Sequence, residues 1–313
     1  MSAIDTDRTE EFQELRPLLF SIAYRILGSV GEAEDAVQET WLRYAASATR
    51  PVSPKAFLST TVTRISIDVL RSARVRREEY VGQWLPEPLL SDPYEDPERA
   101  AELADSVSTA ALLLLERLSP LERAVFVLRE VFAFGFPDVA EAVGRSEAAC
   151  RQLAVRARKH MQEGRPRYEA GREEREELAA RFFQALREGE VGELRALLSA
   201  DAQLVGDGGG KAPQLARVVV GADPVSRLLA SYFAVLDSVA VTLETREVNG
   251  GPGAVFRDRD GRVLTTWTLD MADGHVRSVH SVVNPEKLGH LGPVGDGWAI
   301  AEEVKRARRA ARG

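Results

Sequence analysis

The chain has 313 residues, 44% of them hydrophobic and 28% charged, with a formal net charge of −7 and a single cysteine. This is the composition of a soluble globular protein with room for two or three domains. It excludes a protein that coats nucleic acid through overall positive charge, and it excludes an intramolecular disulfide; with a polar, acidic start and no apolar run near the roughly 20 residues of a membrane span, the expectation is a cytoplasmic protein without membrane contact.

Three helices are predicted first. Phe12, Leu15, Leu19, Ile22 and Ile26 recur at helical period up to Gly28. A second helix spans about Glu32 to Tyr44, with Ala33, Val37, Trp41 and Tyr44 inward and Glu34, Asp35, Gln38 and Glu39 outward. A third starts at Ser53-Pro54, with Pro at the first helical position, and continues through Arg77. On it Arg64, Asp68 and Arg71 share a face. Between Arg43 and Arg77 eight Lys and Arg residues meet one acid, Asp68, whereas from Pro86 to Asp105 seven acids meet only Arg99. A basic helix of this kind can track a nucleic-acid backbone, or simply be solvated.

Pro86, Pro88, Pro93 and Pro97 make a helix impossible through the acidic stretch, which reads as an extended linker. Helices resume near Glu98, with Ala111 to Leu115 in the core, and Ser119-Pro120-Leu121-Glu122 is a capping box. Phe136 to Met161 then forms a helix, a turn at Gly144 and a second helix starting at Ser146-Glu147. Ala149, Cys150, Leu153, Ala157 and Met161 point inward. Arg151, Gln152, Val155, Arg156, Arg158 and Lys159 are left outside: Arg and Gln suit base edges, and Lys and the later Arg suit phosphates. Any helical hairpin with a solvated cationic face would share this pattern.

Beyond Arg165 the pattern becomes mixed. Leu178, Phe182, Phe183 and Leu186 mark one helix, Leu194 to Leu198 a short second, and Val225, Leu228, Leu229, Tyr232 and Phe233 a third. Strands follow at Val239 to Leu243, Ala254 to Phe256, Val263 to Met271 and Val276 to Val283, separated by glycine-containing turns. Helices followed by hairpin-linked strands imply an α+β sheet curled around helices. The terminal run with Lys305, Arg306, Arg308, Arg309 and Arg312 reads as a solvated, disordered tail.

Four segments, AEDAVQETWLR (Ala33 to Arg43), FLSTTVTRISIDVLRSARVRR (Phe57 to Arg77), LSPLERAVFVLREV (Leu118 to Val131) and the helix-turn-helix, resemble in order and spacing the extracytoplasmic-function sigma factors of bacterial RNA polymerase. The resemblance implies two all-α sigma domains. It implies that Asp35, Gln38, Glu39 and Trp41 grip the clamp helices of the largest subunit of core polymerase. Lys55, Arg64, Asp68, Arg71 and Arg74 would melt and read the −10 element, although Phe57 and Arg64 stand where many members have Trp and Asn. Arg151, Gln152, Val155, Arg156 and Arg158 would read the −35 element of promoter DNA. The linker's carboxylates would thread the polymerase cleft and mimic phosphates, or would only solubilise a tether.

The last block is similar to the SnoaL-like, nuclear-transport-factor-2-like cone that one group of these factors carries as a C-terminal extension. Asp207-Gly208-Gly209-Gly210-Lys211, Asn284-Pro285-Glu286-Lys287-Leu288 and the linker's WLPEPL match that group's signatures. The resemblance implies a regulatory domain acting within the chain. Asp207 to Lys211 are expected to contact the sigma domains, Lys211 to reach the linker's carboxylates, and Asn284 to Leu288 to close the last strand. The organisation expected is region 2 over 1–80, an acidic Pro-rich linker over 81–105, region 4 over 106–164, the cone over 172–292 and a basic tail over 298–313.

Two other classes stay open. A one-component helix-turn-helix regulator would sense a small ligand in a cone pocket lined by Asp207, Trp267, His275 and His280, and a cyclase- or isomerase-like enzyme would use an Asp and a His of that lining. No pair among these has diagnostic spacing, so no catalytic residue is assigned. DGGGK lacks the GxxxxGK[ST] phosphate-loop pattern, and no metal or cofactor is expected.

Overall fold

The structure, a computed structural model, describes residues 3–164, 171–214 and 217–310. The chain forms two compact units, one of Met1–Glu79 with Asp92–Arg165, the other of Tyr80–Ser91 with Pro166–Gly313. The Pro-rich segment is therefore divided: 80–91 belongs with the C-terminal unit, and the acidic remainder from Asp92 belongs with the helices.

The first unit is helical. α1 (Ala3–Leu27), α2 (Val30–Ala45) and α3 (Pro54–Glu78) come first, then α4 (Ala100–Val107), α5 (Thr109–Leu115), α6 (Pro120–Phe126), α7 (Phe136–Val143) and α8 (Glu147–Gly164). Their boundaries follow local chemistry. Ser29 Oγ accepts the Glu32 amide at 3.1 Å to start α2. The Ser119–Glu122 capping box forms in both directions at the start of α6. Gly144 ends α7 in the left-handed region at φ 64°, where a β-carbon would be strained. After α6 the helix widens into a π turn over Val127–Val131.

A buried polar network runs through this unit's core. Arg25, fully buried, donates to the Ser106 hydroxyl at 2.8 Å and the Leu103 carbonyl at 2.9 Å, and pairs with Asp92 at 2.7 Å. Arg123, also buried, donates to the Arg25 carbonyl at 2.9 Å and pairs with Glu116. Buried guanidinium groups need this satisfaction, because an unpaired buried charge costs several kcal/mol.

The second unit has α9 (Arg172–Glu188), α10 (Val191–Leu197), β1 (Leu198–Asp207), β2 (Val219–Val220), α11 (Ala222–Phe233), β3 (Thr242–Val248), β4 (Gly251–Arg257), β5 (Val263–Ala272), β6 (His275–Val282) and α12 (Gly297–Ala310). The six strands lie in the order β2-β1-β6-β5-β4-β3. β1 runs parallel to β6 and the other pairs are antiparallel. One face of the sheet closes on the helices: Phe182, Phe183, Leu186, Val225 and Leu229 share a core with Ala254, Phe256, Trp267, Leu269 and Val279. This is the expected α+β cone.

Three elements differ from the sequence expectation. The strand expected from Val239 to Leu243 is Thr242–Val248, with Val239 buried in a preceding 3-10 turn over Asp237–Val239. β1, beside β6, begins at Leu198, where a helix was expected to be ending, and no strand was expected before Val239. The terminal basic run is not disordered as far as Ala310. It is the helix α12, whose Val304 is buried in the cone's core with Ile300 and Ala307 partly buried against it. Spacing at i, i+4 and i+7 gives the run an apolar stripe, and that stripe, not its charge, decides its structure.

Candidate nucleic-acid interface and linker cradle

In the helix-turn-helix, Cys150, Leu153, Ala154, Ala157 and Met161 are buried, while Arg151, Gln152, Val155, Arg156, Arg158 and Lys159 are exposed along one side of α8. The Arg151 guanidinium lies 4.8 Å from the centre of the Phe136 ring and 2.9 Å from Glu147. Arg156 sits 3.1 Å from Glu122, and Arg158 sits 3.8 Å from Glu130. These pairs are half-exposed, so they orient the cations at little energetic cost to releasing them. What results is a row of cationic and amide donors on a rigid helix.

On α3, Lys55, Arg64, Asp68 and Arg71 are exposed. Asp68 and Arg71 pair at 3.1 Å, and Lys55 lies 5.9 Å from the Phe134 ring centre. Arg64 is engaged elsewhere: it donates to the carbonyls of Glu141 at 2.6 Å and Ala142 at 3.3 Å, at the C-terminal end of α7. A cation is favoured there by the helix dipole. The side chain of Arg74 lies outside the described residues.

On α2, Asp35 and Gln38 are exposed, and Glu39 and Trp41 are half-buried. The Trp41 ring packs on Phe12 at 5.0 Å. Phe12, Gln13 and Arg16 of α1 with Glu34, Val37, Gln38 and Trp41 of α2 line an open cavity of about 260 Å³.

In the C-terminal unit, 80–91 forms neither helix nor strand and is cradled by the end of β1 and the turns after β6. Asp207, fully buried at the end of β1, accepts the Leu85 amide at 2.8 Å, the Tyr80 hydroxyl at 2.5 Å and the Lys287 ammonium at 2.7 Å. Lys287 Nζ also donates to the Leu85 carbonyl at 2.5 Å and lies 4.9 and 4.2 Å from the ring centres of Tyr80 and Trp84, a cation–π cage. Asn284 Nδ2 donates to the Tyr80 oxygen at 2.8 Å. Burial and the adjoining Asp207 carboxylate push the Tyr80 phenol well above its ordinary range. Further along, Leu89 and Asn249 exchange hydrogen bonds, and the His290 imidazole meets the Pro88 carbonyl at 2.6 Å.

Gly209 lies against this cradle at φ 56°. A β-carbon there would fall 2.4 Å from Asn284 Nδ2 and 2.7 Å from the Tyr80 oxygen, so the DGGGK loop can approach so closely only with glycine.

The family models Sigma-70 region 2 and Sigma-70 region 4 match residues 12–76 and 108–161. The chain is 38% identical over 291 residues to the ECF RNA polymerase sigma factor SigJ of Mycobacterium tuberculosis, covering 89% of this chain and 92% of that one. It belongs to the extracytoplasmic-function RNA polymerase sigma factors. A second relative, a probable ECF sigma factor SigI of the same species, is 30% identical over 279 residues, covering 88% and 93% of the two chains. The crystal structure of SigJ superposes with a TM-score of 0.69 at 36% identity, covering 90% of this chain and 98% of that one. The sigma factor accordingly directs transcription initiation, and that activity implies core RNA polymerase and promoter DNA as partners; it is not an enzymatic activity. No described helix is long and apolar enough to cross a membrane, and no group of potential metal-binding residues occurs among the described ones.

The candidate pocket residues of this sigma factor lie apart in role. Trp267 is buried among Phe256 and Phe233, at ring separations of 4.9 and 5.6 Å. His275 is exposed at the β5–β6 turn. His280 is buried on β6, directly across from Thr268 and Val205, and burial pulls its pKa down to about 4. Asp207 is spent on the linker. Lys211 pairs with Glu286, and Lys287 is the lysine that reaches the linker, at the Leu85 carbonyl.

Sequence reasoning missed Tyr80, Trp84, Asn249 and His290 as parts of the cradle, and Arg25 and Arg123 as core groups. The signal that pointed there is Trp84 within WLPEPL, just ahead of the prolines.

Proposed function

We propose that this sigma factor reads promoters with two surfaces and is modulated in cis by the cradle on its linker. Arg151, Gln152, Val155, Arg156 and Arg158 contact the −35 element, Lys55, Arg64, Asp68, Arg71 and Arg74 the −10 element, and Asp35, Gln38, Glu39 and Trp41 the polymerase clamp helices. The protein works in the cytoplasm, where these partners are. Arg64 reads DNA only after its exposed guanidinium leaves the α7 carbonyls.

The observation that carries the modulation is the buried Asp207–Lys287 pair closed around the Leu85 backbone. A segment so held is not free to follow another path. Loosening it changes the reach between the two DNA-reading surfaces, which lie on either side of 80–91 in sequence. In this reading Asp207 acts on the linker, through Tyr80 and Leu85, and not on the sigma domains that Asp207 to Lys211 were expected to contact. The cone acts as a clamp and does no catalysis.

Binding of purified protein to core polymerase, and initiation from a cognate promoter, test the first part. Protein that binds a palindromic duplex without polymerase, and fails to bind core, would favour a one-component regulator instead. A chain ending after Gly164 tests the second part: transcription unchanged from that of the full chain would contradict modulation by the cone.

A further inference from the structure

We propose that the open face of the cone is a receptor site for an amphipathic helix, filled here by the chain's own α12, and that filling it tightens the grip on 80–91. The second half rests on the cradle reading above. An isolated helix of 14 residues is marginal in water, so α12 exists because something binds it. Val304 is 3% exposed, in one apolar cluster with Val239, Phe256 and Trp267; Ile300 and Ala307 flank it one turn to either side. Glu303 pairs with Arg259 of the β4–β5 turn at 2.5 Å. Lys305, Arg306 and Arg309 are exposed. Apolar anchors at helical spacing seated on another element's apolar cluster are the recognition mode of a helix in a groove.

The link to the linker is the DGGGK loop. At one end of the loop Asp207 holds Leu85 and Tyr80; at the other, the Trp298 indole of α12 donates to the Lys211 carbonyl at 3.1 Å. A β-carbon on Gly297 would lie 3.2 Å from Pro213, so the start of α12 also packs close behind the loop. The loop is held between its two neighbours, and removing one loosens the support of the other.

Hydrogen exchange on the full chain, on Val304→Asp and on a chain ending after Asp296 tests this. Exchange within 80–91 is expected to accelerate about 10-fold or more in both variants while β5 and β6 stay protected. A synthetic peptide of residues 297–313 should restore slow exchange to the shortened chain saturably, and the same peptide carrying Val304→Asp should not. Unchanged protection of 80–91 in folded variants, or no rescue by the wild-type peptide, overturns the proposal. If either variant loses the β5 and β6 protection, Ile300→Ala is decisive: faster exchange at 80–91 alone supports the coupling, and no change refutes it. Lys287→Met separates the two readings. If it frees the linker and alters initiation while the α12 variants do neither, the cradle stands and the helix receptor falls.

Discussion

Lys287 Nζ lies 2.7 Å from Asp207 Oδ2 with both side chains buried, and the same ammonium donates to the backbone of Leu85, 202 residues away in sequence. The pair is both a buried ion pair of the C-terminal unit and the clasp on the linker, so cutting it has two readable consequences. Lys287→Met leaves the Asp207 carboxylate buried without its counter-ion, which should cost the unit about 3–5 kcal/mol in urea denaturation. Adding Asp207→Asn should recover part of that loss, because the uncompensated charge goes. Additive losses in this double-mutant cycle would contradict direct coupling.

Gly209→Ala probes the same place without touching charge. The new methyl meets Asn284 and Tyr80 inside contact distance on a backbone at positive φ. The expected cost is about 1–3 kcal/mol. Intrinsic fluorescence should report a changed setting for Trp84. A fully stable variant with unaltered fluorescence would mean that the loop does not sit against the linker.

Protonation offers a second handle on the cone. His280 titrates at about 4 when folded because burial disfavours its imidazolium, against an ordinary 6.5. The unfolded chain therefore takes up the proton first. The stabilising contribution is complete above pH 6.5 and falls as the pH drops through the window down to 4, by about 3 kcal/mol across the whole window. His280→Gln should flatten that dependence in urea midpoints measured between pH 7 and pH 4.5. An equal slope in the variant would assign the pH dependence to other groups.

Within α8 the exposed row divides by chemistry. Gln152→Ala should relax preference at one base pair of the −35 element and cost about 1–3 kcal/mol on the preferred sequence. Lys159→Ala should weaken binding evenly across sequences and lower the salt slope by about one. Competition binding at several salt concentrations separates the two patterns; identical behaviour would reduce α8 to non-specific contact.

The helix-turn-helix was legible because its information is local: Cys150, Leu153, Ala157 and Met161 repeat at helical period, and their burial follows from that period alone. The Ser119–Glu122 box was legible for the same reason. α12 is hidden in the sequence because Lys305, Arg306 and Arg309 dominate its composition, whereas Ile300, Val304 and Ala307 acquire meaning only against the apolar cluster they pack on. β1 is hard to read because Ser199, Ala200 and Asp201 interrupt its apolar pattern, and its pairing with β6 joins residues 75 to 78 apart, as in Asp207 with Val282 and Leu198 with Val276. The choice between Lys211 and Lys287 as the linker's lysine was beyond sequence reasoning. Both stand in short polar motifs, and only the fold decides which one meets the Leu85 carbonyl.

Control by the cradle is decided by in vitro transcription with core polymerase and a cognate promoter, comparing the full chain with Lys287→Met at matched concentration, after circular dichroism confirms that the variant retains its fold. Core-dependent initiation is expected of both proteins, with the variant's output shifted several-fold and its affinity for core unchanged. Identical output from a folded variant in which the linker is free would contradict control by the cradle, and failure of the full chain to initiate at all would contradict the promoter-reading roles on which it rests.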